Sequence, residues 1–203
     1  MSTAGRDLVF RPLGRAPTVG LIFYPGGKVP PAAYAPAARE IAATSNALVV
    51  IVDVPFNLAV FDIDAASRVI AREPGIGTWA VGGHSLGGAM AAQYAASHPG
   101  AVGGLVLWAS YSAADLSGSG VRVVSIFGTL DAGAATFTSA ATRAKLPGDA
   151  TFVEIEGGNH EQMGWYTGQP NDPPATVARS DQQAQVVIAT ASFLAALGAL
   201  PGG

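Results

Sequence analysis

The sequence contains no cysteine. That one absence removes disulfides, thiolate metal sites and a cysteine nucleophile together. Charge is scarce as well: 12% of residues are charged, the formal net charge is −3, and the only lysines are Lys28 and Lys145. A nucleic-acid partner would require a basic face, and none can be assembled from these residues. No uninterrupted apolar run approaches the ~18 residues of a membrane span, Ala47–Val52 being typical, so no membrane partner is expected. Arg6 and Asp7 interrupt the first segment before an apolar stretch can form; it does not read as a signal peptide, and a cytoplasmic location is expected.

What is abundant is small. The chain carries 26 glycines and 39 alanines in 203 residues. Glycine and proline stay below the roughly 25–30% typical of low-complexity chains. With 49% hydrophobic residues, the chain should collapse around one core, a single domain over residues 1–203. Nothing in the composition fixes an oligomeric state.

Short apolar runs alternate with helix-patterned stretches. Val19–Tyr24, Ala47–Val52, Trp79–Gly83, Val102–Trp108, Val121–Phe127 and Thr151–Ile155 read as strands, with Leu8–Leu13 as an additional edge strand. Their apolar character is continuous rather than alternating, as in a sheet covered on both faces. Tyr34–Thr44, Phe61–Arg72, Leu86–Ser97, Thr136–Leu146 and Asp181–Leu197 read as helices. The last should open with a capping box, Ser180 to Gln183, and bury Val186, Thr190, Phe193, Leu194 and Leu197. Repeated β-α-β order predicts an α/β fold with a mostly parallel central sheet. Gly157–Arg179 is the one long irregular stretch, and such loops are usually functional or disordered.

Trp79–Gly83 runs into Gly83-His84-Ser85-Leu86-Gly87. In a glycine-rich chain this pattern arises easily by chance, so its context decides. It follows a strand and opens a helix, as a strained elbow requires. Gly83 and Gly87 lack side chains, which lets strand and helix approach. The helix N-terminus offers the Leu86 N–H to a developing oxyanion. The competing reading of Ser85 is a helix-capping serine.

Three histidines compete for the role of base. His84 adjoins Ser85 but should diverge from it at the elbow. His98 precedes Pro99 and can serve a helix C-terminus. His160 follows the last strand through Gly157-Gly158-Asn159, at the sheet edge where open α/β folds meet ligands. It is the expected general base. Asp131 follows Val121–Phe127 at the same edge and is the expected acid, with Asp115, Asp149, Glu154 and Glu156 as weaker rivals. His160-Glu161 lacks the second histidine of a zinc helix, since Gly164 stands there, and no metal or cofactor is implied.

The order Ser85, Asp131, His160 and the segment Gly157-Gly158-Asn159-His160 make the whole chain resemble the α/β-hydrolase superfamily, close to its small lidless esterases and dienelactone-hydrolase-like members. The resemblance implies a minimal α/β-hydrolase fold of about eight strands with the second antiparallel. The segment Ala109–Gly120 is too short for an inserted lid. Many esterases carry His-Gly-Gly at the second oxyanion donor; here the segment reads Tyr24-Pro25-Gly26-Gly27-Lys28. Gly27 N–H is the candidate donor and Lys28 N–H the alternative. Lys28, Phe56, Tyr111, Trp165 and Tyr166, with Leu58, fall in sheet-edge loops and are candidate substrate contacts, although such aromatics can equally pack the loops.

The expected activity is hydrolysis of small carboxylic esters through an acyl-enzyme, with a small-molecule ester as partner. Lactone or dienelactone hydrolysis, thioester hydrolysis and acyl transfer remain open on the same residues. A non-catalytic binding protein of this fold is the reading from a different class.

Overall fold

The computed structural model describes residues 2–4 and 6–199. Eight strands form one sheet: β1 (Ser2–Ala4), β2 (Asp7–Phe10), β3 (Val19–Tyr24), β4 (Leu48–Ile51), β5 (Thr78–His84), β6 (Gly104–Trp108), β7 (Arg122–Gly128) and β8 (Thr151–Ile155). Their spatial order is β1-β2-β4-β3-β5-β6-β7-β8. β2 runs antiparallel to β1 and β4, and the pairs from β4 to β8 are parallel.

The runs are apolar throughout because both faces are covered. β3, β4 and β6 are buried at every residue. Leu21, Phe23, Val106 and Trp108 face a core shared with α1 (Ala35–Ser45) and α6 (Arg179–Gly198). Ile22, Tyr24, Leu105 and Leu107 face the other, shared with α2 (Ala65–Arg72) and α3 (Leu86–Ser97). The odd–even split along each strand is the strand pleat itself.

Four boundaries depart from the sequence expectation. The strand expected over Leu8–Leu13 ends at Phe10, leaves Leu13 fully exposed, and is not an edge, because β1 lies outside it. The helix expected from Phe61 begins at Ala65, after 3-10 turns at Pro55–Asn57 and Ala59–Phe61. The helix expected over Thr136–Leu146 is two short ones, α4 (Ala134–Phe137) and α5 (Ala140–Arg143). Ser139 separates them in an extended conformation, its hydroxyl accepting from Thr142 N as the cap of α5. A serine that offers its oxygen to the backbone competes with helix continuation. Finally, the Ser180–Gln183 capping box does not form. α6 starts at Arg179 with no side-chain cap, and the Gln183 amide donates instead to Gln162 O. Val186, Thr190, Leu194 and Leu197 are nonetheless buried on one helix face, with Phe193 packed beside them.

Candidate active site

β5 turns into α3 at Ser85, whose φ of 52° and ψ of −122° lie outside the regions open to most L-residues. Packing imposes this conformation. A Cβ at Gly87 would stand 2.2 Å from Tyr24 O and 2.3 Å from Pro25 O; one at Gly83 would stand 2.5 Å from Gly87 C. Only glycines permit so close an approach. The end of β6 then clamps the turn: Ser85 N donates to Trp108 O at 3.0 Å, and the Ser110 hydroxyl donates to Ser85 O at 2.7 Å. The Ser85 hydroxyl makes no capping bond, so helix capping does not explain this serine.

Asp131 and His160 come from the loops after β7 and β8. These loops are bonded to each other: Leu130 N donates to Gly158 O at 2.9 Å and Gly157 N to the Thr129 hydroxyl at 3.0 Å. A Cβ at Gly128 would lie 2.2 Å from Gly158. Asp131 and His160 are thereby fixed relative to each other. His160 Nδ1 lies 2.8 Å from Asp131 Oδ2, and Gly133 N donates to Oδ1 at 2.7 Å. The Asp131 side chain is 2% exposed. A buried carboxylate holds the proton on Nδ1 and leaves Nε2 with a free lone pair. Asp172 supports the His160 loop from outside, accepting from His160 N and Glu161 N. Gln182 on α6 brackets Asn159, accepting from its N–H and donating to its carbonyl.

Ser85, Asp131 and His160 line one cavity of about 220 Å³, together with Gly133, Phe137 and Asn171. The rival acids stand elsewhere: Asp149, Glu154 and Glu156 are exposed, and Asp115 is bonded to Ser117. His98 stacks on Tyr94, with its Nδ1 3.1 Å from Tyr94 O at the end of α3.

At the oxyanion turn the two candidate donors separate. Lys28 N donates to Asn57 O at 2.8 Å and is committed, which corrects the alternative that gave it this role. Among the described residues no acceptor meets Gly27 N–H. Leu86 N, at the first position of α3, has no intrahelical acceptor. A Cβ at Gly27 would lie 3.2 Å from Leu86 Cδ2 and 3.7 Å from Leu58 Cδ2, so two leucines stand where a side chain at this position would go.

The candidate substrate contacts do not gather at the cavity. Lys28, Phe56, Tyr111, Trp165 and Tyr166 are all absent from its lining. Phe56, 82% exposed, packs edge-on against Phe61. Tyr111 is partly exposed and Lys28 exposed. Trp165 N donates to Ala33 O, and its indole lies in an apolar groove between α1 and α6. Tyr166 comes nearest: its ring sits 6.1 Å from that of His84, and its hydroxyl donates to Gln169, which does line the cavity.

His84 is buried beneath the site, its ring 4.5 Å from that of His160. Burial pushes its pKa well down and the positive charge of His160 pushes it further, against a weaker opposite pull from the His160 backbone. His84 therefore stays neutral in the folded chain, whereas in the unfolded chain it takes up a proton below about pH 6.5. The unfolded state binds more protons there, so this group makes stability fall as the pH is lowered below about 6.5 and restores it as the pH rises. Urea unfolding at pH 7.5 and 5.5 checks this. The acid-side loss should shrink in His84→Asn, and an equal loss in both proteins contradicts it.

Among the described residues no group of three His, Asp or Glu side chains is arranged to hold a metal ion, and no helix is long and apolar enough to cross a membrane.

The fold is shared widely. A hyperthermophilic esterase from the archaeon Pyrobaculum calidifontis superposes with a TM-score of 0.68 at 19% identity, over 95% of this chain and 79% of that one. Est1E from Butyrivibrio proteoclasticus gives 0.71 at 13%, over 96% and 94%. A predicted CIB-like hydrolase from Thermoplasma acidophilum gives 0.68 at 14%, over 95% of each. No curated protein matches the sequence. A sequence model of the alpha/beta hydrolase family matches residues 20–184, which include the elbow, both loops and the start of α6, and the chain belongs to that family.

Proposed function

We propose that the protein is a serine hydrolase of small, uncharged carboxylic esters. One observation carries this reading: Ser85, on a strained elbow, shares a cavity with His160, whose Nδ1 is bonded to buried Asp131.

His160 Nε2 removes the Ser85 proton as Oγ attacks the ester carbonyl. The carbonyl π bond opens to an oxyanion held by Leu86 N–H and Gly27 N–H. When the tetrahedral adduct collapses, the C–O bond to the alcohol breaks and the imidazolium returns its proton to that oxygen. Water, deprotonated by His160, then attacks the acyl-enzyme; the acid leaves and Ser85 regains its proton. Its structural neighbours include a protein described as an esterase, from Pyrobaculum calidifontis.

Two features support the substrate class. The cavity of about 220 Å³ is below the ~300–1,000 Å³ of sites for drug-sized ligands. Asp131 and Asp172 line it, a field that disfavours anionic groups.

Labelling by a fluorophosphonate probe, lost in Ser85→Ala, separates an enzyme from a binder of the same fold. A panel of p-nitrophenyl esters, lactones and acyl thioesters then reads the class. Acetate and butyrate esters should turn over faster than long-chain esters and than hemisuccinate-type anionic ones. Preference for a lactone or thioester would replace the ester reading.

A further inference from the structure

We infer that Tyr34 is a positioning residue: its buried hydroxyl couples the oxyanion turn to His84 and, through it, to the nucleophile elbow and the base loop. The inference rests on the serine-hydrolase reading for its kinetic consequence, but not for its geometry.

Tyr34 stands where three segments of the site meet. Gly26 N donates to its hydroxyl at 3.0 Å, which anchors the turn that presents Gly27. The same hydroxyl lies 2.8 Å from Nδ1 of His84, the residue before Ser85. On the third side, a Cβ at Gly164 would lie 3.1 Å from the Tyr34 ring, and Trp165 N donates to Ala33 O at 2.8 Å. Gly164 and Trp165 belong to the loop that carries His160. The turn is pressed tightly onto this pair: a Cβ at Gly26 would fall 2.7 Å from His84 Nδ1 and 2.9 Å from the Tyr34 hydroxyl.

Counting protons orients the chain of bonds. The Tyr34 oxygen accepts from Gly26, and His84 Nδ1 is the one other polar atom within hydrogen-bond distance of it among the described residues, so its proton is satisfied only by donation to Nδ1. Burial raises the phenol pKa far above neutrality, so that proton is retained. His84 is then the neutral tautomer protonated at Nε2, an atom with no hydrogen-bond partner among the described residues. Holding a neutral imidazole under His160 avoids a second positive charge when His160 becomes an imidazolium during the reaction. Phe23 and Trp108 pack on the Tyr34 ring, so the ring would stay in place without its hydroxyl.

Tyr34→Phe removes one oxygen and leaves the Gly26 N–H and His84 Nδ1 unpaired. Oxyanion donors act on charge that develops in the transition state, so their misplacement appears in kcat rather than in KM. We expect kcat to fall about 10–100-fold with KM within about threefold. His84→Asn keeps an acceptor oxygen near the place of Nδ1 and should stay within about tenfold of the original enzyme. His84→Leu, which keeps Tyr34 but removes its acceptor, should match Tyr34→Phe. A kcat within threefold of the original in Tyr34→Phe, or in His84→Leu should the former not fold, overturns the inference. Long-range 1H–15N imidazole spectra of the unmodified protein provide a readout that needs no substrate. They should show His84 as the neutral Nε2–H tautomer, and a proton on Nδ1 overturns the inference whatever the activity. An unmodified protein that shows this tautomer yet neither reacts with the fluorophosphonate nor cleaves any ester fails the hydrolase reading instead.

Discussion

Ser85→Ala lowers kcat for a short-chain p-nitrophenyl ester by about 10⁴–10⁶-fold while leaving the fold intact. The two halves of that expectation have separate causes. The activity loss follows because His160 can deprotonate only a hydroxyl, and alanine offers none. The Leu86 and Gly27 amides would still polarise the carbonyl, so a residual rate above that in water is expected. The retained stability follows from the contacts. The Ser85 side chain caps nothing, and the bonds that clamp the turn use Ser85 N and Ser85 O, which alanine also has. The strain at φ 52° is common to both residues, because each has a Cβ. Steady-state kinetics and thermal unfolding on the same preparation check the pair. Turnover near that of the unmodified protein removes Ser85 as nucleophile, and a large drop in Tm would give the serine a structural role instead.

The elbow was legible because its requirements are local. A buried strand, glycines two residues on either side of the serine and a following helix all lie within Trp79–Ser97, and the structure uses each of them. The places of Asp131 and His160 at one sheet edge were legible for a related reason. Strand ends can be read from apolar runs, and the residues just past β7 and β8 are Asp131 and His160. What stayed hidden depends on partners distant in the chain. Tyr34 and His84 are 50 residues apart and Gln182 lies 23 residues from Asn159, so no spacing announces either contact. The start of α6 is set by Arg179, which bonds Glu161 and the Gly164 carbonyl, and not by the capping pattern at Ser180. The aromatic loop residues do not line the cavity because backbone bonds decide where a loop side chain points: Trp165 N is held by Ala33 O, and its indole goes to the α1–α6 groove. The break between α4 and α5 is local by contrast, since Ser139 caps α5 within an otherwise helical stretch.

Asp131→Asn lowers kcat by about 10⁴-fold, more than the loss of one charge in a solvent-exposed pair could explain. The reason is the direction in which the asparagine must point. Gly133 N–H donates to Asp131 Oδ1, and this bond is internal to the loop. An asparagine keeps it by placing its carbonyl oxygen there, which turns its NH₂ toward His160 Nδ1. Nδ1 must then accept, the imidazole proton moves to Nε2, and the nitrogen that the proposed mechanism uses as base becomes a donor that cannot take the serine proton. Asp131→Ala imposes no such choice. It leaves the imidazole free to adopt either tautomer, so a fraction of molecules keeps a competent base. Asp131→Asn should therefore be no faster than Asp131→Ala, although it resembles aspartate more closely in shape. Kinetics of the two variants at pH 7.5, with circular dichroism to check folding, decide the matter. A loss below tenfold in Asp131→Asn would mean that His160 does not depend on Asp131, and an alanine variant much slower than the asparagine one would place the effect in packing rather than in the tautomer.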